Sequence, residues 1–138
     1  MIVYLDTSVV LRVLFGQTAP LKEWGRWERA YSSELMGVEA RRVIDRLRLE
    51  SALDDDGVVQ AQEALTGIEQ GIGIIRVTRV VLRRASLPMA TVVKTLDAIH
   101  LASALLFQER HGQPLTFATH DQQQASAARA LGYSVIGI

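Results

Sequence analysis

Short apolar runs alternate with longer segments of helical periodicity along the chain. The apolar run IVYL, residues 2–5, has the length of a strand, and the polar DTS after it leads into the helix-like VVLRVLF. The same order returns near the other end, where LTFA, DQQQASAARALG and YSVIGI predict a strand, a helix and a strand. This alternation predicts an α/β fold, a parallel sheet with helices packed on both of its faces.

The middle of the chain continues the pattern. YSSE is a candidate strand before the helical LMGVEARRVIDRLRLE, and IGIIRV is a β-branched strand before the short helix TRVVLRRAS. Three acids at 54–56 start a helix that stops at Gly71, and acids in that place suit helix capping better than metal binding. Pro20 suits the first turn of a helix over residues 21–30, LKEWGRWERA, although Gly25 weakens that prediction.

The most apolar helix carries an acid where it begins. In VVKTLDAIHLASALLFQE, residues 92–109, nearly every side is apolar, yet Asp97 lies in the first turn of the helix predicted for 95–110. At about 100° per residue, Asp97 shares a stripe with Leu101 and Ala104, and His100 lies beside it. An isolated buried carboxylate is very costly, so something must stabilise Asp97.

The composition predicts one globular domain over residues 1–138. Hydrophobic residues make up 49% of the chain and charged residues 22%, as is ordinary for a protein that folds by itself. There is no cysteine, which excludes disulfides and thiolate metal sites. The first apolar run lacks a basic leader and is interrupted at Asp6, so we expect no signal peptide, no membrane span and a cytoplasmic protein.

The charges are balanced, with fifteen basic and fifteen acidic residues, so no overall positive field indicates a nucleic-acid partner. Any such binding must be local. Arg42 and Arg46 lie one helical turn apart, as do Arg79 and Arg83. These pairs suit phosphate contacts or simply form solvated helix faces, and the sequence leaves both interpretations open.

Four acids are predicted to meet at one edge of the sheet. Asp6 directly follows the first strand and Asp121 follows LTFAT, and the carboxyl ends of parallel strands share an edge. Asp97 and Glu39 lie in early turns of helices, which in this architecture often face the same edge. Taken singly, Asp97 suits a helix dipole, Asp6 and Asp121 suit helix caps, and Glu39 suits an ion pair with an arginine of its own helix, Arg42 or Arg46.

Taken together, four converging acids would repel one another without a cation, and the only lysines are Lys22 and Lys94. A hard divalent cation, Mg²⁺ or Mn²⁺, resolves this repulsion because it prefers a few carboxylates plus waters. Such clusters hold one or two ions for phosphodiester hydrolysis. The sequence therefore predicts a metal site with Asp97 as a ligand. The three histidines show no spacing typical of zinc.

Four segments resemble, in order and spacing, the motifs of PIN-domain ribonucleases, in particular the VapC toxins of bacterial toxin–antitoxin pairs. They are YLDTSVVLRVL, SSELMGVEARRVIDRL, KTLDAIHLASAL and FATHDQQQASAARALG. LDAIHLASAL is the most specific piece, whereas residues 51–90 match no motif. The resemblance implies a three-layer α/β/α PIN-like fold and an endoribonuclease that cleaves RNA with Mg²⁺ or Mn²⁺.

The resemblance also implies roles for particular residues. Asp6 and Asp97 would be the main metal ligands, and Glu39 and Asp121 would complete the catalytic site directly or through water. Three hydroxyl residues would orient ligands or waters as their neighbours: Thr7, Ser8 and Thr119.

The partners implied by the resemblance are RNA, a second copy in a homodimer, and a VapB-like antitoxin whose tail lies along the early helices and reaches the acidic cleft. Phe15, Trp24 and Trp27 offer a surface for such a tail, or are simply core. Two other functions compete with the nuclease. A phosphoryl-receiving signalling domain needs a lysine after its last strand, which YSVIGI lacks, and a non-catalytic PIN-like protein-binding module has no need of all four acids.

Overall fold

The computed structural model describes residues 1–138, with five strands and six helices. In chain order they are β1 Ile2–Leu5, α1 Thr7–Leu14, β2 Arg29–Ser33, α2 Glu34–Leu49, α3 Asp55–Gly71, β3 Gly73–Ile75, α4 Arg79–Ala85, α5 Thr95–His111, β4 Thr116–Ala118, α6 Gln122–Ala130 and β5 Ser134–Ile136.

All five strands are parallel, in the order β3-β2-β1-β4-β5, so β1 lies at the centre of the sheet. Alternate residues of β1 face opposite layers. Val3 and Leu5 pack with residues of α1, α2 and α3, whereas Tyr4 packs with residues of α5 and α6. The short helix α4 packs on α5. The predicted α/β fold with helices on both faces of a parallel sheet is confirmed.

Burial on both faces explains why the central strand is continuously apolar rather than alternating. On the α5 and α6 side, the Tyr4 ring stacks on Phe117 of β4 with their centroids 5.2 Å apart. On the other side, Ile44 of α2 and Leu65 of α3 are almost completely buried. Each such side chain contributes about 1.5–3 kcal/mol to stability through removal from water, so both layers hold the sheet firmly.

The helix predicted for residues 21–30 is wrong. The chain instead makes turns there, with the Trp24 amide donating to the Leu21 carbonyl, and β2 begins at Arg29. Gly25 has a φ of 77°, a left-handed value that a right-handed helix does not accept. Trp24 and Trp27 therefore lie in the α1–β2 connection rather than in a helix.

The acids at 54–56 cap a helix, as predicted. Asp54 precedes α3, and its side chain accepts a hydrogen bond from the Gly57 amide at 2.7 Å.

None of the helices combines the length and apolar character that a membrane span requires. The cytoplasmic location stays a prediction.

The parallel sheet also determines where chemistry can occur. β1, β2 and β4 end at the same edge, and three helices begin within a few residues of those ends: α1, α2 and α6. Helix N-termini and connecting loops converge at such an edge, which is where sites form in open α/β sheets.

Candidate active site

The four predicted acids surround the carboxyl edge of the sheet. Asp6 links β1 to α1, Glu39 lies in the second turn of α2, Asp97 in the first turn of α5, and Asp121 immediately before α6. Asp6 is almost fully buried, at 5% exposure. The negative charges of Asp6, Asp121 and Glu39 all act on Asp97, so the structure places the acids in one electrostatic neighbourhood.

Two hydroxyl groups fix the Asp6 carboxylate. Its Oδ2 accepts hydrogen bonds from Ser8 Oγ at 2.7 Å and from Thr119 Oγ1 at 2.8 Å. Each hydroxyl is itself fixed, because Ser8 accepts from the His120 amide and Thr119 from the Asp121 amide. Oδ1 of Asp6 accepts no hydrogen bond and lies 4.0 Å from His100 Nε2. Asp6 thus presents one bound and one free oxygen.

A buried histidine fixes Glu39. His100 is fully buried, with Nε2 donating to Glu39 Oε1 at 2.6 Å and Nδ1 bonded to Tyr4 Oη at 2.7 Å. Thr7 Oγ1 donates to the same Glu39 oxygen at 2.7 Å. The alternative that Glu39 pairs with Arg42 or Arg46 does not hold, because Arg42 contacts Asp45 and Arg46 contacts Glu50. As with Asp6, one oxygen of Glu39 is held and Oε2 is free.

The His100 and Glu39 pKa values shift in the directions expected for an ion pair. Burial lowers the pKa of His100, but the hydrogen bond to Glu39 and the charges of Asp6, Glu39 and Asp97 outweigh it and leave the pKa raised. For Glu39, burial raises the pKa, yet the hydrogen bond and charge of His100 leave it lowered. Both groups therefore favour their charged forms.

Asp97 is the acid without support. No protein group donates a hydrogen bond to its half-buried carboxylate; only its main-chain carbonyl is bonded, by Gln124 Nε2. Burial, followed by the charges of Asp6 and Asp121, raises the pKa of Asp97 to about 6. His100 opposes this effect without cancelling it. The site therefore carries negative charge that the chain itself does not neutralise.

Asp121 has the helix-capping role, one of the two roles that the sequence left open. It is the N-cap of α6, where its Oδ1 accepts from the Gln124 amide at 3.0 Å. Its Oδ2 remains free. Asp6 also precedes a helix, but its side chain makes no capping hydrogen bond. Capping thus accounts for part of Asp121 and for none of Asp6.

The free oxygens form a donor set that suits a hard cation. Asp6, Glu39 and Asp121 each hold one oxygen in protein hydrogen bonds and leave the other free, and Asp97 leaves both free. Oxygen donors of this kind are what Mg²⁺ and Mn²⁺ prefer. As the side chains stand, no three His, Asp or Glu residues come close enough to enclose a metal ion. The donors fit a metal chemically, while their positions do not yet surround one.

A groove of about 360 Å³ adjoins the acids between α1 and α2. Ser8 and Asp121 line it on the acidic side, and Arg12, Phe15 and Arg46 line it further along. Arg46 lies 3.8 Å from Glu50, and both side chains are largely exposed, so this ion pair is weak. Arg42, one turn earlier, instead pairs with Asp45 on the helix surface.

Sequence reasoning gave no role to His100 or Gln124. His100 lies three residues after Asp97, so its helical position was a signal that it faces the same neighbourhood. Gln124 is the last of three consecutive glutamines; it is fully buried, whereas Gln122 and Gln123 are exposed. The residue type alone does not distinguish them.

Replacing Asp97 by Asn should stabilise the metal-free protein at neutral pH. Its pKa of about 6 in the folded state exceeds the unfolded value of about 3.9, so ionisation costs the folded state free energy. This cost is absent below about pH 4, grows as the pH rises to about 6, and is complete above it. Since the side chain is only half-buried, we expect a gain of about 1–2 kcal/mol at neutral pH.

Urea unfolding of metal-free wild type and Asp97→Asn, at acidic and neutral pH, measures this gain. Glu63→Gln is the matched control, because Glu63 is an exposed acid of α3 without an ion pair. Identical unfolding free energies for wild type and Asp97→Asn at neutral pH would contradict the expected repulsion.

Comparisons with known proteins agree with this architecture. The chain is 28% identical over 138 residues to Ribonuclease VapC47 of Mycobacterium tuberculosis (strain CDC 1551 / Oshkosh), covering 95% of this chain and 93% of that protein. The solved structure of VapBC-5 from Mycobacterium tuberculosis, a member of the VapBC family of toxin–antitoxin systems, has a TM-score of 0.67 and 19% identity, covering 99% of this chain and 98% of that one.

Another solved structure, of the sarcin–ricin loop cleaving toxin VapC20 from Mycobacterium tuberculosis, has a TM-score of 0.64 and 14% identity, covering 100% of this chain and 98% of that one. At these identities the solved structures show a shared fold. Residues 3–130, which include all four acids, match the family model of the PIN domain. The chain therefore belongs to the PIN domain family.

Proposed function

We propose that this PIN domain is a metal-dependent endoribonuclease and the toxin of a VapBC-type toxin–antitoxin pair. The observation that carries the proposal is the uncompensated set of free carboxylate oxygens around Asp97. Likeness over nearly the whole chain to a protein named as a VapC ribonuclease supports the choice of RNA. We infer single-stranded or looped RNA as the substrate, because its unstacked bases are open to side chains, whereas the balanced charge of the chain does not indicate a double-helical partner.

The proposed ligands of Mg²⁺ or Mn²⁺ are Asp6 and Asp97, with Glu39 and Asp121 acting directly or through water. When bound, the metal would supply an activated water and stabilise the leaving oxygen of the phosphodiester.

The chain's own contribution is to hold these ligands in place. Ser8 and Thr119 fix one oxygen of Asp6 and so aim the other into the cleft. His100 and Thr7 do the same for Glu39. Asp97 alone has no such restraint, so it is the ligand most able to move towards a cation.

The groove beside Asp121 suits the RNA backbone. A carboxylate cluster repels phosphate, so substrate binding needs cations next to it. Arg12 and Arg46 line this groove, and neither is held in a close ion pair. Arginine forks match phosphate geometry, and the partly exposed ring of Phe15 offers a stacking surface for a base.

Purified protein should cleave a mixed RNA pool with Mg²⁺ or Mn²⁺ and should fail to do so with chelator. Asp6→Asn and Asp97→Asn should each lower the rate at least about 100-fold, because each removes a main ligand while keeping side-chain size. Circular dichroism and RNA cleavage on the same preparations separate loss of chemistry from loss of fold.

Retained cleavage by pure, folded Asp6→Asn protein would exclude the assigned site. Absence of cleavage in every condition, together with no metal binding by calorimetry, would instead favour a non-catalytic PIN-like protein-binding module.

Removing Arg12 or Arg46 should weaken RNA binding in a salt-dependent way. Each arginine that neutralises one phosphate contributes about 0.7 to the slope of log affinity against log salt for a single strand. Fluorescence anisotropy with a labelled single-stranded RNA, on the Asp97→Asn background to prevent cleavage, measures this slope for Arg12→Ala and Arg46→Ala.

Arg110→Ala is the matched control for this experiment. Arg110 is exposed in the last turn of α5, thirteen residues after Asp97 and thus about 20 Å along the helix. Equal slopes for the Asp97→Asn protein and for the same protein with Arg12→Ala or Arg46→Ala added would remove the groove from the RNA path.

The proposed protein partner is a VapB-like antitoxin. Solved toxin–antitoxin complexes from Klebsiella pneumoniae and Mycobacterium tuberculosis contain chains of this fold. Trp24 and Trp27 pack edge to face, 5.1 Å between centroids, and remain partly exposed beside the core. With Phe15 they are the surface that we assign to the antitoxin tail.

Expression of this chain in a bacterial host should arrest growth, and co-expression of its cognate antitoxin should restore it. The Asp97→Asn variant should not arrest growth, because arrest depends on cleavage. Equal arrest by both forms at equal protein levels would contradict a nuclease toxin.

The homodimer stays a prediction. It is favoured by exposed apolar side chains in residues 82–96, among them Leu87 and Val92, and light scattering on the purified chain tests it.

A further inference from the structure

One fully buried side chain joins two of the acids across the cleft. Gln124 is 0% exposed and lies in the first turn of α6. Its main-chain amide donates to Asp121 Oδ1 at 3.0 Å, and its side-chain Nε2 donates to the Asp97 carbonyl, also at 3.0 Å. The same residue therefore contacts Asp121 through its backbone and Asp97 through its side chain.

The link between Gln124 and Asp97 has no substitute in the fold. It is the only hydrogen bond between α5 and α6. Each helix presents a carboxylate in or just before its first turn, so the two ends repel each other when both acids are ionised. A hydrogen bond to the Asp97 carbonyl opposes that separation without consuming the oxygens of either carboxylate.

The side chain of Gln124 contains a buried polar atom that destabilises the fold, and packing alone does not explain why it is there. Its Oε1 is buried and has no hydrogen-bond partner in the protein. Turning the amide would not correct this, because it would place Oε1, which cannot donate, against the Asp97 carbonyl, which can only accept. An unpaired buried acceptor destabilises a fold, and an apolar residue of similar size would avoid it. The polar side chain is explained instead by what its Nε2 holds.

We propose that Gln124 is a positioning residue that sets the separation of Asp97 and Asp121 across the metal site. The inference rests on the proposed metal-dependent function, since the separation of two ligands matters to an ion bound between them. Outer hydrogen bonds of this kind change metal affinity while leaving the ligands themselves intact.

Gln124→Met is the direct test, because it keeps length and volume, keeps the capping amide of the backbone, and removes only the side-chain donor. Gln123→Met is the matched control, the same substitution at an exposed position of the same turn. Calorimetry with Mn²⁺ should show affinity lowered about 10-fold or more in Gln124→Met and unchanged in Gln123→Met. Cleavage by Gln124→Met should recover at high Mn²⁺, which a merely unfolded variant would not do.

A metal-free measurement separates this inference from the proposed function. With the link intact, Asp97→Asn should raise the melting temperature at neutral pH because it removes a repulsion that the fold enforces. In the Gln124→Met background the acids can move apart, so the same substitution should raise the melting temperature less.

The outcomes are distinct. Wild-type Mn²⁺ affinity in folded Gln124→Met overturns the positioning role while leaving the nuclease proposal standing. If the wild-type protein binds no metal, the proposed function fails, and the melting experiment alone decides on Gln124. Equal gains from Asp97→Asn in both backgrounds then overturn the inference. Gln124→Leu replaces Gln124→Met in all of these measurements if the methionine variant does not fold.

Discussion

Repulsion among four carboxylates is the constraint around which the carboxyl edge of this sheet is organised. The one cationic side chain in contact with them is His100, which is completely buried. It projects from α5, bonds to Tyr4 in the central strand and donates to Glu39 of α2. A single imidazole thereby connects the helix layer on one face, the sheet, and the helix layer on the other. The side chain that offsets the negative charge at the edge is therefore also a buried part of the core.

The hydrogen bonds at the edge share a simple logic. Serine, threonine, histidine and backbone donors each occupy one oxygen of an acid, and the second oxygen is left towards the cleft. A fold that only needed to tolerate its acids would satisfy both oxygens or replace the acids. The unequal treatment of the two oxygens supports the proposed role of the acids as ligands, and Asp97, which accepts no protein hydrogen bond at either oxygen, is the extreme case.

Much of the fold could be predicted because the strands are short, apolar and separated by helices with clear periodicity. The acids at the edge were also predictable, since Asp6 and Asp121 follow strands directly and a parallel sheet brings strand ends together. The failure at residues 21–30 has a local cause, the left-handed conformation of Gly25, which periodicity cannot report. The contacts of His100 and Gln124 depend on how α2, α5 and α6 meet in space, and no spacing along the chain encodes that meeting.

The central place of β1 has a consequence for the order in which the sheet folds. Asp6 directly follows β1, whereas Thr119, which holds its carboxylate, lies 113 positions later, directly after β4. The sheet is therefore completed by one of its last strands, and closing so long a loop is slow compared with forming helices. A growing chain therefore lacks an assembled acidic edge until β4 and the start of α6 have been made. The proposed chemistry at this edge would have to wait for the strands on both sides of β1.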